Sequence, residues 1–307
     1  MANLAQDSLY SVIIYSKLYK KVETLIDPKV DTLAMRIRIG RSPDPDDAFM
    51  YYAMISGKLG LPGYELIHVT EDIETLNVKA MKSELEVTAI SAHAYSDVAD
   101  KYYLMNVGGS LGKGYGPIVV TRNKLDLEKL KDCTIAIPGR YTTASLLLRM
   151  ALGNVATVEM KFDDIPRAVS DSEVDAGLII HEGQLTYSSL GLFNSLDLGA
   201  WWDGETNLPL PLGLDVVRKD LGKEFGMKFR DLLRESIQYS LNRKEDALKF
   251  AMKYARGTPK ELVEKFVLMY VNDLTLDMGD SGIAGLNTLY SKASGMGLIK
   301  PVEFETV

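Results

Sequence analysis

Gly116-Pro117-Ile118-Val119-Val120-Thr121-Arg122 and Gly213-Leu214-Asp215-Val216-Val217-Arg218 look related: each is a glycine, then a β-branched run, then a basic residue. Such runs, bounded by turn formers, read as strands. The pair brackets a middle α/β unit, so the chain must cross twice between two lobes. Two crossings of this kind imply a hinge and a cleft. The expected division is one discontinuous lobe from 35–118 and 215–307, an inserted lobe from 119–214, and an N-terminal extension over 1–34.

Outward from the bracket, strand-like and helical segments alternate, the signature of α/β construction. Before it come strands at Ile37–Ile39, Tyr64–Thr70, Val87–Ser91 and Tyr102–Val107. Helices are expected at Asp47–Lys58, Asp72–Lys82 and near Ala92–Ala99. Inside it, strands at Cys133–Ile137, Thr157–Lys161 and Ala176–Ile180 alternate with helices at Thr142–Leu152 and Ile165–Ser170. After it the pattern turns helical, at about 224–242, 244–255, 259–271 and 281–296.

The balance of residues removes several function classes. A formal net charge of -7 leaves no basic stripe, so nucleic acid has no electrostatic footprint here. Cys133 is the single cysteine, which excludes an internal disulfide and a Cys-based metal site and fits a reducing, cytoplasmic home. No apolar run reaches the ~18 residues of a membrane helix. Nor does the N-terminus have the form of an export signal: Asp7 precedes the apolar stretch, and Lys17, Lys20 and Lys21 follow it.

Glycine-rich 108–116 matches neither G-x-x-x-x-G-K-[ST] nor G-x-G-x-x-G, so phosphate cradling is not expected. Gly108-Gly109-Ser110-Leu111-Gly112 has the G-x-S-x-G spacing of a nucleophile elbow. The elbow must open into a helix, and Lys113-Gly114-Tyr115-Gly116-Pro117 cannot start one cheaply. The segment reads instead as a flexible crossover loop near the cleft. Trp201 and Trp202, with Leu208-Pro209-Leu210-Pro211-Leu212, read as packing beside the second crossover.

Four places could carry chemistry. Ser42-Pro43-Asp44-Pro45-Asp46-Asp47 precedes a helix; an aspartate there caps it, but three carboxylates at one strand end also suggest contact with hydroxyls or a cation. Gly139-Arg140-Tyr141-Thr142-Thr143-Ala144 follows a strand and opens a helix, whose free N–H groups and threonine hydroxyls make an anion site. Ser91 ends a strand in the equivalent place of the first lobe. His181 ends the apolar strand Ala176–Ile180, where α/β clefts place chemistry, and imidazole titrates near neutrality. His68 and His93 read as packing or surface residues, and three scattered histidines do not suggest zinc.

In these segments the chain resembles the menaquinone-biosynthesis family (the MqnA/MqnD group). The likeness runs from about Met35 through Asp220 and more weakly to the C-terminus. Ser42–Phe49, Gly108–Pro117, Pro138–Ala144, Ala176–Tyr187 and Leu198–Gly213 carry it. Gly139-Arg140-Tyr141-Thr142-Thr143-Ala144 and Leu178-Ile179-Ile180-His181-Glu182 are closest to the 1,4-dihydroxy-6-naphthoate synthase branch; the chorismate dehydratase branch fits less well. The resemblance implies the two-lobed, type 2 periplasmic-binding-protein-like α/β fold with a helical C-terminal region. It also implies a lyase of the futalosine pathway that splits cyclic dehypoxanthinyl futalosine into 1,4-dihydroxy-6-naphthoate and dihydroxyacetone without a cofactor.

Carried onto this sequence, the family's base falls on His181, its substrate-contacting pair on Thr143 and Ala144, and its cleft segment on Ala89, Ile90 and Ser91. Asp47 and Asp46 are expected to hold sugar-derived hydroxyls. One motif departs: the family's usual Ser-Pro-Cys-Pro-Asn-Asp-Thr-Phe reads Ser-Pro-Asp-Pro-Asp-Asp-Ala-Phe here, with Asp44, Asp46 and Ala48 in the changed places. Two added carboxylates would repel a carboxylate-bearing substrate unless protonated or turned away. The rival expectation is a non-catalytic solute-binding protein of the same fold, holding a small carboxylate or hydroxylated ligand. It lacks support from an export signal.

Overall fold

The structure, a computed structural model, describes residues 34–307. The extension expected over 1–34 lies, apart from Ala34, outside them. Strands β1 (Met35–Arg41), β2 (Tyr64–Thr70), β3 (Val87–Ser91), β4 (Tyr102–Leu104) and β5 (Ser110–Gly112) come first. Then follow β6 (Ile118–Thr121), β7 (Thr134–Ile137), β8 (Ala156–Glu159), β9 (Ala176–Ile179) and β10 (Phe193–Asp197), and β11 (Leu210–Arg218) ends the series.

These strands build two sheets on one plan. The first has the order β2-β1-β3-β11-β4, with β5 paired to β11; the second runs β8-β7-β9-β6-β10. Within the first, β1 is parallel to β2 and β3, and within the second β7 is parallel to β8 and β9. The two glycine-led segments hold equivalent places: β11 lies antiparallel beside β3, and β6 antiparallel beside β9. The chain passes to the second sheet before β6 and returns to the first before β11.

Burial explains which segments became strands. β6 and β9 are buried at every residue, as expected of near-continuous apolar runs in a sheet covered on both faces. β8 is exposed throughout and forms the edge. The helix Thr143–Leu152 buries Leu146, Leu147, Leu148 and Met150, and Thr142 caps it by accepting from the Ser145 N–H; Asp72 caps the helix Ile73–Met81 in the same way through Thr75. One apolar cluster includes Ile90 and Val216 of the first sheet together with Val119, Ile135 and Leu178 of the second. The helical tail, Lys223–Asn242 onward, packs Phe225, Phe229 and Ile237 against Ile37, Ile39 and Phe49.

Several expectations are corrected. The helix expected over Asp47–Lys58 is two short ones, Pro45–Met50 and Tyr52–Ile55. They part at Tyr51, a fully buried ring whose hydroxyl donates to Asp215 Oδ1 at 2.7 Å. The crossover segment 108–116 is not simply a flexible loop, because Ser110–Gly112 pairs with β11. Neither β10 nor the helix Leu198–Thr206 was anticipated; one has no apolar run, and the other carries Gly199 and Gly204. Trp202 is buried and its Nε1–H donates to the Leu208 carbonyl at 2.9 Å, which is the packing role expected of it. Among the described residues no helix is long and apolar enough to cross a membrane.

Candidate functional site

Both sheets turn the carboxyl ends of their parallel strands toward one cavity, the usual ligand position in open α/β sheets. It holds about 700 Å³ of empty space, its open side included. All eight residues expected from the sequence line it: Asp46, Asp47, Ala89, Ile90, Ser91, Thr143, Ala144 and His181. Gln184, Asp215 and Tyr270 line it too, and the sequence reading did not single them out.

The wall from the first sheet is acidic and buried. Asp47 accepts from the Ser42 N–H through Oδ2, whereas Asp46 Oδ1 is buried without a partner among the described residues. Burial, then the charges of Asp47 and Asp44, push the Asp46 carboxyl well above its usual range. Burial likewise lifts Asp47 to about 6 despite its bonds to Ser42, and burial with Asp47 nearby lifts Asp215 to about 7. Of the two hydroxyl-binding candidates, Asp46 has Oδ1 without a partner among the described residues, and Asp47 has Oδ2 engaged with its own loop. Gly108 makes room here: at φ 86 a side chain is strained, and a Cβ would run into the Asp215 carboxylate.

Asp44 does not cap its helix with its side chain. Its Oδ1 accepts from Arg256 Nη2 at 2.7 Å, and its Oδ2 lies 3.3 Å from His181 Nδ1. Burial pushes Asp44 up, but His181 and the Arg256 guanidinium outweigh it and hold the carboxyl below its usual range. The repulsion expected of the two added carboxylates is thus answered twice, by a counter-charge at Asp44 and by the upward shift of Asp46, which favours its neutral form.

Ser91 is held by Asn77, a fully buried residue whose Oδ1 accepts from the Ser91 N–H at 2.9 Å and whose Nδ2 donates to Ser91 Oγ at 3.1 Å. That leaves the Ser91 hydroxyl hydrogen available to the cavity. Tyr270 is in the same condition. Its oxygen accepts from Gln184 Nε2 at 2.9 Å, and burial pushes its phenol far up, so it stays a donor.

The wall from the second sheet carries donors and an imidazole. The hydroxyl of Thr143 is already committed, donating to the Leu212 carbonyl at 2.7 Å and accepting from the His93 N–H at 3.2 Å. Thr142 donates to the Gly139 carbonyl at 2.8 Å. The threonine hydroxyls thus build the loop rather than the anion site. What remains are the backbone N–H groups of Thr143 and Ala144, which find no acceptor among the described residues and stand at the positive end of their helix. His93 is a packing residue, its buried Nδ1–H donating to the Thr142 carbonyl. His68 sits in β2 away from the cavity, and burial lowers it to about 4.

His181 follows β9 at φ 55, a costly conformation for a residue with a Cβ. Its Nε2 is buried and has no partner among the described residues. Phe162 packs edge-on against the ring, centroids 4.9 Å apart. Among the described residues, no group of three or more His, Cys, Asp or Glu side chains is arranged to hold a metal ion.

A family model described as menaquinone biosynthesis matches residues 37–295. The chain belongs to this menaquinone-biosynthesis family. A 1,4-dihydroxy-6-naphthoate synthase of Thermus thermophilus is 40% identical over 265 residues, covering 86% of this chain and 96% of that one. A crystal structure of a protein from Archaeoglobus fulgidus is 50% identical, with a TM-score of 0.83 over 86% of this chain and 98% of that one. The alkanesulfonate-binding protein of Xanthomonas axonopodis pv. citri, at 13% identity, covers 87% of this chain and 95% of that one with a TM-score of 0.65, which carries the fold alone. The architecture is that of a periplasmic binding protein, and this family member is an enzyme of menaquinone biosynthesis that acts on a small molecule.

Proposed function

We propose that the chain is a 1,4-dihydroxy-6-naphthoate synthase, a carbon–carbon lyase that splits cyclic dehypoxanthinyl futalosine into 1,4-dihydroxy-6-naphthoate and dihydroxyacetone. The observation that carries the reading is the buried, unpartnered Nε2 of His181 in a cavity whose other wall offers hydroxyl-binding groups. The substrate carboxylate docks on the free N–H groups of Thr143 and Ala144 at the helix N-terminus. Asp46, protonated, and Ser91 donate hydrogen bonds to hydroxyls of the sugar-derived part.

His181 Nε2 then takes a proton from the substrate, starting ring opening and elimination; general-base assistance of this kind contributes roughly 10²–10⁴-fold. Closure of the lobes over the cavity's open side would keep water from the carbanion-like intermediate. The likeness to the Thermus synthase over most of both chains supports the substrate. Incubation of the purified protein with cyclic dehypoxanthinyl futalosine, followed by chromatography with mass detection, tests it. Both products are expected in equal amounts. A folded protein that leaves the substrate untouched would overturn the reading.

A further inference from the structure

Behind His181 lies a charged assembly that the proposed reaction does not yet use. Asp44 Oδ2 stands 3.3 Å from His181 Nδ1, and Arg256 holds the other carboxylate oxygen at 2.7 Å. Arg256 is itself fixed: Nε donates to Glu182 Oε1 at 2.9 Å, Nη1 to the Pro43 carbonyl at 3.0 Å, and Asp163 lies 3.5 Å away. The Arg256 guanidinium also sits over the Phe162 ring, 5.0 Å from its centroid, and that ring packs edge-on against His181. Asp44 is 1% exposed, so water does little to screen it.

A neutral imidazole carries one proton, and the two nitrogens compete for it. A base facing the cavity must hold its lone pair on Nε2, which requires the proton on Nδ1. We propose that Asp44, anchored by Arg256, is the positioning residue of His181, a side chain that lines the cavity: its charge beside Nδ1 keeps the proton there and leaves the lone pair on Nε2, the ring nitrogen without a partner among the described residues. The 3.3 Å separation is longer than a well-formed hydrogen bond, and such contacts tighten when a ligand engages the other nitrogen. An Asp–His pair in serine hydrolases works on the same principle, where an isosteric Asn lowers kcat by about 10⁴ through the wrong tautomer. Here the carboxylate stands at the position where the family's motif usually has Cys. The proposal rests on His181 being the base.

The test reads the tautomer directly. The full chain, labelled with ¹⁵N-histidine, is followed by long-range ¹H–¹⁵N correlation across a pH titration. Three histidines give three imidazole patterns, and His181→Ala identifies the one of interest. The wild type is expected to show the Nδ1–H form once that ring is neutral. Asp44→Asn should move population to Nε2–H and lower kcat by about 100-fold or more, with KM within about threefold. Asp44→Glu, which keeps the charge, should return the tautomer and part of kcat.

A wild-type ring protonated on Nε2, or an Asp44→Asn protein with unchanged tautomer and kcat, overturns the assignment. Should Asp44→Asn fail to fold, the wild-type tautomer alone decides. The tautomer is read without substrate. The expected forms in a protein that makes no product would leave Asp44 in place and remove the reaction instead.

Discussion

In the first sheet β11 lies antiparallel beside β3, and in the second β6 lies antiparallel beside β9. Both sheets then present strand ends to the same cavity, yet they present opposite chemistry. The first brings Asp46, Asp47 and Asp215, buried carboxyls held above their usual range. The second brings the imidazole of His181 and the bare N–H groups at the start of the helix Thr143–Leu152. A shared topology fixes where ligand groups meet, and the residues in the loops after the strands decide what each wall does. One wall is a set of buried carboxyls, and the other offers bare N–H groups and an imidazole.

This contrast can be broken one wall at a time. The largest effect is expected from the second: His181→Ala should lower kcat by about 10²–10⁴-fold in the product assay. On the first, Asp215→Asn should change stability in a pH-dependent way, followed by thermal unfolding. The Asp215 carboxyl is raised from 3.8 to about 7 in the folded protein. An acid with a raised folded pKa favours the fold fully below its unfolded value and loses that advantage as pH climbs through the window from about 4 to 7. Relative to wild type, Asp215→Asn should therefore gain stability across that window, by at most about 4 kcal/mol above it, and gain nothing near pH 4. Equal melting shifts at both ends would show that the carboxyl is not titrating as described.

Ala144→Asp sharpens the comparison, because it places the first wall's chemistry on the second. A carboxylate in the first helical turn suits the helix dipole, but Ala144 is buried, so thermal unfolding is used to select folded protein before its kinetics are read. It would meet the substrate's own charge, so KM should rise about tenfold or more while kcat changes less. The smallest effect belongs to the cap beneath that dock. Thr142→Ala removes the acceptor for the Ser145 N–H and should cost about 1 kcal/mol in denaturant unfolding.

The layout of the cavity was legible because its residues announce themselves locally. Val87–Ser91 is the strand found, Ala176–Ile180 overruns its strand by one residue, and Thr142–Leu152 is a helix with its cap included. Strand ends in an α/β sheet converge, so Ser91, Thr143 and His181 could be placed at one cleft from pattern alone. Arg256, Gln184 and Tyr270 could not. Arg256 lies in a charged helical tail like many others and reaches Asp44 across 212 positions, a contact that no local period encodes. The threonine hydroxyls misled for a related reason: their type suggests an anion site, but only the fold shows that the Leu212 and Gly139 carbonyls already take them. β10 escaped because Phe193-Asn194-Ser195-Leu196-Asp197 is an edge strand, and its pairing with β6 rather than its composition makes it a strand.

The central claim is that Nε2 of His181 takes the substrate proton, and chemical rescue tests it most directly. Turnover of cyclic dehypoxanthinyl futalosine by His181→Ala would be measured against increasing concentrations of imidazole at several pH values. The account predicts that activity returns in proportion to the free-base form of the added imidazole. A His181→Ala enzyme that keeps near-wild-type turnover without imidazole would contradict it.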